Sequence, residues 1–407
     1  MAAATDTRHV EVDEQGVSPT FEFPGFRLPG APTFTGALGT SMFYGALPTP
    51  TPVLDLAMVF GSRLWGHDLP LDGDALGAAP GVGDLYAHEL RDKACAGLCV
   101  RVAQELHEDV TDWRSLVLHT GSEAVETAIK TALRATGRDG MVAFEGGYHG
   151  TFGLALAVTH GAQFRDPFWR QIPTTVTWAP WGVVPAMTDQ VACVVVEPWQ
   201  GRAGVVPPPS WFLSLLREEC DRVGAVLILD AVLCGGGRTG ATIAEAITDA
   251  RPDIVCLGKA IGSGVVASAV VARAELATKA WDRGPVEPAH TSTSIGDPLA
   301  CAGILHSIGA LQSRGDELEA AGAAWRALLE PIAETAGMEL RGKGLLWALD
   351  TGKPGGGVEL ARHLLAMHRI LVVPSGLDGS SITLYPAATC SDLELERVAE
   401  ALPRALG

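Results

Sequence analysis

The chain has 407 residues, of which 47% are hydrophobic and 19% charged, and its formal net charge at pH 7 is −17. That length and apolar fraction suffice for a large core shared by two or three domains. The acidic balance argues against a nucleic-acid partner, because binding a phosphate backbone needs clustered lysine and arginine.

The cysteines and the N-terminus indicate the cellular compartment of the protein. Eight cysteines are scattered along the chain without paired C-x-x-C spacing, so we expect no metal site. Cys193, Cys234 and Cys256 lie in or beside apolar runs, where buried free thiols are expected. The first residues lack an apolar signal core, and no apolar run reaches the length of a membrane helix. These features predict a cytoplasmic protein without membrane contact.

Residues 1–52 are rich in proline, glycine and threonine, which is typical of an irregular segment lying on other structure. From about residue 75 to 300, helix-period segments such as 85–106 alternate with short apolar runs. The runs are SLVLHT, MVAFEG, VACVVVEP, AVLILDA and DIVCLG. This alternation predicts an α/β fold with a mostly parallel sheet covered on both faces by helices. A long helical stretch follows Pro298, and the pattern of residues 316–407 predicts a smaller α+β unit.

The end of the first of these runs is a candidate phosphate site. Thr120, Gly121 and Ser122 stand between SLVLHT and a helical pattern. Small residues at a helix N-terminus offer a phosphate free backbone N–H groups and a favourable dipole. An ordinary N-cap, with Thr120 or Ser122 as the capping residue, explains the same residues. The sequence leaves both interpretations open.

Three other strand ends carry acids and a lysine. Glu197 ends VACVVVEP and Asp230 ends AVLILD. A carboxylate after five apolar residues is costly unless a cation meets it, although a strand-end acid can also simply cap the next turn. Of the six lysines, only Lys259 stands at the exit of a buried strand, where a desolvated amine can form a Schiff base.

Residues 235–240 read GGGRTG and fit the dinucleotide fingerprint G-x-G-x-x-G. Four residues separate Asp230 from these glycines, whereas the fingerprint needs its first glycine at the turn directly after the strand. An acid, a lysine and a phosphate cup at separate strand ends fit pyridoxal phosphate better. Asp230 would meet the ring nitrogen, Lys259 the aldehyde and the helix N-terminus the phosphate.

At these residues the sequence resembles the class III aminotransferases, the ω-aminotransferase branch of fold-type I pyridoxal-phosphate enzymes. The resemblance covers about residues 50–407, through segments such as TGSEAVETAIKTALRATGR, VVVEPWQGRAGVVPPPSWF and PDIVCLGKAIGSG. It implies a large cofactor-binding domain at 75–300 with a seven-stranded sheet. Residues 301–407 would form a linking helix and a smaller α+β domain. Residues 1–74 would join the small domain and a dimer interface.

The resemblance also implies the cofactor-binding residues, which are Gly121, Ser122, Tyr148, Glu197, Asp230, Val232, Lys259 and Thr293. Asp230 and Lys259 would be catalytic: the acid holds the pyridinium nitrogen, and the lysine forms the Schiff base and moves the proton. Tyr148 would stack on the ring. Thr293 would reach the phosphate of the neighbouring subunit, which implies a homodimer with shared active sites.

Two departures from the family pattern concern the substrate. The arginine of the family's R-x-x-P-P becomes Thr383 in SITLYP, and the glutamate that often pairs with it becomes Arg202 in EPWQGRAG. We hypothesise that Arg202 is a relocated anion anchor, and a side chain directed to solvent is the alternative. Phe60 and His149 are further candidates for substrate contacts. The missing arginine favours a carboxylate-free amine or a large, specialised-metabolite substrate.

The predicted function is pyridoxal-phosphate-dependent transfer of an amino group from an amine or amino-acid donor to a carbonyl acceptor. A racemase, epimerase or aminomutase with the same cofactor shares these residues, so it remains an alternative. A non-catalytic member of the family is disfavoured, because it has no physical need for Lys259 at that strand end.

Overall fold

The computed structural model describes residues 33–45, 49–68, 88–168, 170, 176–243, 250–282 and 289–406. Its strands, numbered in chain order, are β1 (Phe34–Leu38), β2 (Ser41–Tyr44), β3 (Thr51–Asp55), β4 (Trp113–Leu118), β5 (Gly140–Phe144), β6 (Val176–Ala179), β7 (Val191–Val196), β8 (Val226–Asp230), β9 (Ile254–Leu257), β10 (Ser268–Arg273), β11 (Glu339–Lys343), β12 (Leu346–Asp350), β13 (Ile370–Leu371), β14 (Val373–Ser375) and β15 (Ser381–Leu384).

The α-helices are α1 (Glu89–Leu106), α2 (Gly121–Thr136), α3 (Gly153–Ala157), α4 (Ala162–Arg165), α5 (Phe212–Val223), α6 (Ala274–Trp281), α7 (Pro298–Ser313), α8 (Gly315–Ala336), α9 (Gly356–His363) and α10 (Asp392–Leu406). Short 3-10 turns cover Val110–Asp112, Asp166–Phe168 and Lys259–Gly262, and a π turn covers Leu364–His368. The segment Met58–Gly61 forms one further turn.

A seven-stranded sheet lies at the centre, in the order β4-β10-β9-β8-β7-β5-β6. The strands β9, β8, β7, β5 and β6 run parallel, and β10 is antiparallel to both of its neighbours. Every residue of β7 and β8 is buried. Continuous apolar strands of this kind need helices on both faces of the sheet. The expectation of a mostly parallel sheet of seven strands is confirmed.

The core divides between the two faces of this sheet. Val194 packs in a cluster with Leu98 of α1 and Ile304 of α7, whereas the adjacent Val195 packs with Ile129 of α2. Successive strand residues point to opposite faces, so one apolar strand supplies both cores. The predicted helix 85–106 begins, within the described residues, at Glu89 and is capped by the His88 side chain.

The C-terminal part has its own antiparallel sheet, β11-β12-β15-β14, and its own core. The N-terminal strand β3 is tied to this part, because β3 pairs in parallel with β13 and places Leu54 opposite Ile370. A smaller α+β unit is therefore present beside the α/β sheet. The three-part division at residues 74 and 300 stays a prediction, and its first boundary lies outside the described residues.

Two absences hold for the described part of the chain. None of its helices is both long and apolar enough to cross a bilayer. The cysteines found there are free thiols, and Cys193, Cys234 and Cys256 are buried as expected.

Candidate active site

A cleft of about 380 Å³ opens where β7, β8 and β9 end. Parallel strands bring their carboxyl ends to one edge of the sheet, and ligands of open α/β folds bind there. The lining includes eight of the residues singled out from the sequence: Gly121, Ser122, Tyr148, His149, Glu197, Asp230, Val232 and Lys259. Arg202 also contributes to the lining.

A larger groove, of about 930 Å³, lies between α8, α9 and α10 in the C-terminal part. Its lining mixes apolar side chains with Lys353, Glu359 and His363. Unlike the cleft, it does not gather buried titratable groups at strand ends. We therefore assign the chemistry to the smaller cleft.

The N-terminus of α2 forms one wall of the cleft. Thr120 is the N-cap: its hydroxyl accepts the N–H of Glu123 at 3.2 Å, and the Glu123 carboxylate accepts the N–H of Thr120 at 3.4 Å. This capping box satisfies the third N–H of the helix and leaves the first two, on Gly121 and Ser122, for a ligand. The cap and the phosphate cup are thus compatible, because they use different groups.

Close packing requires glycine at two positions around the phosphate cup, which is the N-terminus of α2 with its free N–H groups. A Cβ on Gly121 would come within 2.5 Å of the Val232 side chain. A Cβ on Gly150 would overlap the Ser122 side chain, and Gly150 also has a φ of 127°, a region that favours glycine. The backbone at Gly121 and Gly150 therefore lies closer to the Val232 and Ser122 side chains than a residue with a Cβ would allow.

Asp230 and His149 form a buried pair at the inner end of the cleft. The His149 Nδ1 atom lies 2.7 Å from Asp230 Oδ2, and the two side chains are 1% and 4% exposed. Asp230 Oδ1 accepts the N–H of Val232 at 3.1 Å. Burial acts to lower the pKa of His149, but the hydrogen bond and charge of Asp230 outweigh it, and the pKa is raised. A protonated His149 would donate this hydrogen bond from Nδ1 and place a positive charge beside the Asp230 carboxylate.

His149 was predicted among the substrate residues, yet the structure turns its ring onto Asp230. The backbone N–H of His149 is also held, by the Thr159 hydroxyl at 2.8 Å. The geometry therefore favours a positioning role for His149 behind the acid. Its partner lies 81 residues away in the sequence, so no local pattern announces the pair.

Glu197 ties two loops of the cleft together. Its carboxylate accepts the N–H of Tyr148 at 2.9 Å and that of Gly201 at 3.1 Å. Burial raises the pKa of Glu197 to about 7, although the charge of His149 and the two N–H groups act in the opposite direction. Glu197 thus positions the Tyr148 backbone beside the end of β7.

Lys259 stands two residues after the end of β9 and adopts a φ of 48°, which is uncommon for a residue with a side chain. Such backbone strain is retained where the surroundings determine the conformation, often at functional sites. Burial lowers the pKa of Lys259, and the charges of Asp230 and Glu197 oppose that shift. The amine is therefore easier to deprotonate than an exposed lysine.

Tyr148 and Arg202 are linked through Phe164, a residue that the sequence did not single out. The rings of Tyr148 and Phe164 meet edge to face with centroids 5.5 Å apart. The Arg202 guanidinium lies 4.7 Å from the centroid of the Phe164 ring. Arg202 is an exposed residue, but it stacks on an aromatic face instead of extending freely into solvent.

Three predicted site residues do not line the cleft of this chain. Thr383 lies in β15, is fully buried, and donates its hydroxyl to Ser375 Oγ at 2.7 Å. Phe60 is 62% exposed beside the lining residue Val59. Thr293 is exposed in the turn that precedes α7. Thr383 therefore offers no substrate contact in this arrangement.

The GGGRTG segment forms a set of tight turns, with no helix starting at its glycines. Arg238 within it is completely buried and donates to the carbonyls of Gly61, Leu345 and Pro386 at 2.7, 3.2 and 2.6 Å. The glycines thus hold a structural arginine, and the dinucleotide interpretation is wrong.

Sequence reasoning missed Arg63, which lines the cleft near Val59 and Ser62. It is the only charged residue in the segment LAMVFGSRLWG, and this isolation is the signal that was available. No cluster of three or more potential metal ligands occurs among the described residues.

Comparison with known proteins agrees with the site. The family model "Aminotransferase class-III" matches residues 53–406. Acetylornithine aminotransferase of Methanopyrus kandleri is 39% identical over 276 residues, which is 66% of this chain and 67% of that protein. Acetylornithine aminotransferase of Methanosarcina mazei is 35% identical over 294 residues, or 70% and 71% of the two chains.

Solved structures agree in fold. An amine transaminase from an uncultivated Pseudomonas species, in its pyridoxal-phosphate-bound form, superposes with a TM-score of 0.80 and 24% identity over 96% of this chain and 99% of its own. An S-selective transaminase from Arthrobacter sp. gives a TM-score of 0.78 and 24% identity over 96% and 95% of the two chains.

Proposed function

This chain belongs to the class III aminotransferases and transfers amino groups with pyridoxal phosphate, and we propose that it does so in the cleft around Lys259. The observation that carries this assignment is the convergence of three groups in one cleft. Lys259, the Asp230–His149 pair and the free N–H groups at the start of α2 all line it. These are the groups that the aldehyde, the ring nitrogen and the phosphate of the cofactor require.

The residues of the cleft fit the cofactor. Gly121 and Ser122 would hold the phosphate with their backbone N–H groups, and Asp230 would hold the ring nitrogen. Tyr148 and Val232 would lie against the ring. When bound, pyridoxal phosphate supplies an electron sink for the bond that breaks at the amino-bearing carbon.

The protein moves the proton. Lys259 would attach the cofactor and, once displaced by a donor amine, take a proton at Nζ from the amino-bearing carbon. The lowered pKa of Lys259 supports this role, because a general base must be neutral when it accepts a proton. His149 would hold the Asp230 carboxylate in position for the ring nitrogen.

The substrate is an amino compound that is not held by a cation at position 383. The Methanopyrus and Methanosarcina relatives are named for acetylornithine. Thr383 is buried and bonded to Ser375 here, so a family-type carboxylate grip at this place is missing. A specialised substrate that is held elsewhere in the cleft fits better than one that needs a cation at position 383.

A homodimer with shared sites fits the surface around the cleft. Val59, Phe60 and Val266 are 53, 62 and 67% exposed, and exposed apolar side chains gathered in this way are typical of interfaces. Thr293, also exposed, would reach the cofactor phosphate of the second copy. Light scattering on the purified protein checks this: a dimer mass is expected, and a monomer would overturn it.

The function is tested by following the visible absorption of the bound cofactor while single donors are added without a carbonyl acceptor. At least one amine or amino acid should convert the band to that of the amine form. Lys259→Ala should lower kcat by about a thousandfold or more, whereas Lys130→Ala, a lysine outside the cleft, should leave it unchanged. A band that no donor converts, together with exchange of the substrate proton in heavy water, would instead indicate a racemase or aminomutase.

A further inference from the structure

We propose that Arg63 binds a carboxylate of the amino substrate and so replaces the grip that is missing at position 383. The inference rests on the proposed function, because it assumes that the amino substrate enters this cleft.

Arg63 is held at the cleft by an unusual turn. Met58, Val59 and Phe60 have φ values of 42, 51 and 53°, all in the left-handed region, and the Arg63 N–H then donates to the Met58 carbonyl at 3.2 Å. Three successive side-chain-bearing residues in this region are strained. The strained turn fixes the backbone from which Arg63 reaches the lining shared with Lys259.

The Arg63 guanidinium is only partly satisfied by the protein. Its Nη1 atom is buried and has no hydrogen-bond partner within the described part of the chain. Burial alone lowers the pKa of Arg63. A buried cationic N–H without an acceptor is unfavourable, and an incoming carboxylate relieves that cost.

Two other half-buried arginines of this chain, Arg217 and Arg273, have carboxylate partners. Arg217 donates from Nη1 to Asp253 at 2.9 Å, and Arg273 donates from Nη2 to Glu108 at 2.8 Å. Arg238 lacks a carboxylate but donates to three carbonyls. Arg63 has neither arrangement, and it is the one of these four that lines the cleft.

The carboxylates of the cleft already have hydrogen-bond partners within the protein. Of its described lining residues, only Glu197 and Asp230 carry carboxylates. Glu197 accepts two backbone N–H groups, and Asp230 is paired with His149. Arg63 is therefore left for an anion that arrives with the ligand.

That anion can be a substrate carboxylate or the cofactor phosphate, and the substrate is favoured. The phosphate already has the free N–H groups of Gly121 and Ser122 at a helix N-terminus. Arg202, the other candidate cation, is exposed and stacked on Phe164. A planar guanidinium in the cleft can donate two parallel hydrogen bonds to a carboxylate. An exposed cation rarely binds an anion in this way.

The test uses donor pairs that differ by one carboxylate: L-alanine with isopropylamine, and L-phenylglycine with 1-phenylethylamine. In each pair a methyl group replaces the carboxylate. In Arg63→Gln, the half-saturating concentration for the two amino acids should rise by about tenfold or more, and that for the two amines by less than about threefold. Arg63→Lys should recover part of the loss, and Arg202→Gln should change both members of a pair alike.

Succinate binding to the cofactor-loaded protein, measured by titration calorimetry, gives a readout that needs no turnover. We expect Arg63→Gln to bind succinate at least about tenfold more weakly than the wild type. Equal losses for acids and amines, or unchanged succinate binding, would overturn the proposal. So would loss of the cofactor absorption band in Arg63→Gln, which would assign Arg63 to the phosphate. A wild type that binds succinate through Arg63 but converts no donor would separate failure of the proposed function from failure of this inference.

Discussion

The inner and outer walls of the cleft are built in opposite ways. At the inner wall, Asp230, His149 and Glu197 are at most 5% exposed and their polar groups are paired with one another or with the backbone. At the outer wall, Arg63 has a buried N–H without a partner among the described residues, and Val59 is exposed in a strained turn. Paired polar groups at the inner wall suit a cofactor held in one position, whereas the unpaired N–H at the outer wall suits the proposed contact with a substrate.

Among the changes that test this contrast, the largest effect is expected from breaking the phosphate cup at the start of α2. Gly150→Ala would press a methyl group into Ser122, so the affinity for pyridoxal phosphate should fall by about tenfold or more. Titration of the apoprotein with pyridoxal phosphate, followed by absorbance, measures it. Gly240→Ala is the matched control, because Gly240 also has a positive φ, of 101°, but no atom within 4 Å of the added Cβ. Equal affinities of the two variants would contradict the cup.

A smaller effect is expected from the buried pair behind the ring. His149→Asn should lower kcat by about tenfold, since a hydrogen bond to a charged group contributes roughly 1.5–3 kcal/mol. The pKa of His149 is raised above its ordinary value of 6.5, so the stability it contributes is complete below pH 6.5 and fades as the pH rises through the raised pKa.

The melting temperatures of wild type and His149→Asn should therefore differ most near pH 6 and least at high pH. Thermal melts at several pH values provide the measurement. A constant difference across that range would mean that protonated His149 does not hold Asp230.

The smallest effect on activity is expected at the position of the lost family arginine. Thr383→Val removes a buried hydroxyl that bonds to Ser375, so the free energy of unfolding should fall by about 1 kcal/mol. The KM for each accepted donor should change by less than about twofold, because Thr383 does not line the cleft. A clear rise in KM for amino acids but not for amines would mean that position 383 recognises the carboxylate of the substrate. It would then count against the assignment of that role to Arg63.

Much of the fold follows from local pattern. The apolar runs before Glu197, Asp230 and Lys259 predicted buried parallel strands, and β7, β8 and β9 end within two residues of those positions. Parallel strands deliver their carboxyl ends to one edge, so the gathering of these groups was predictable as well. Thr120 was also predictable as a cap, because a small hydroxyl residue just before a helical pattern is a local signal.

The sequence by itself determined the cofactor chemistry, because strand ends and helix starts are local features. Only the tertiary structure decided which polar side chains of the site have partners within the protein. It turned His149 onto Asp230, stacked Arg202 on Phe164, and buried Thr383 beside Ser375. It also left the buried Nη1 atom of Arg63 without a partner in the part of the chain that the structure describes. The hydrogen-bond partners of a buried polar group come from distant parts of the chain. They are therefore set only when the core packs around the site.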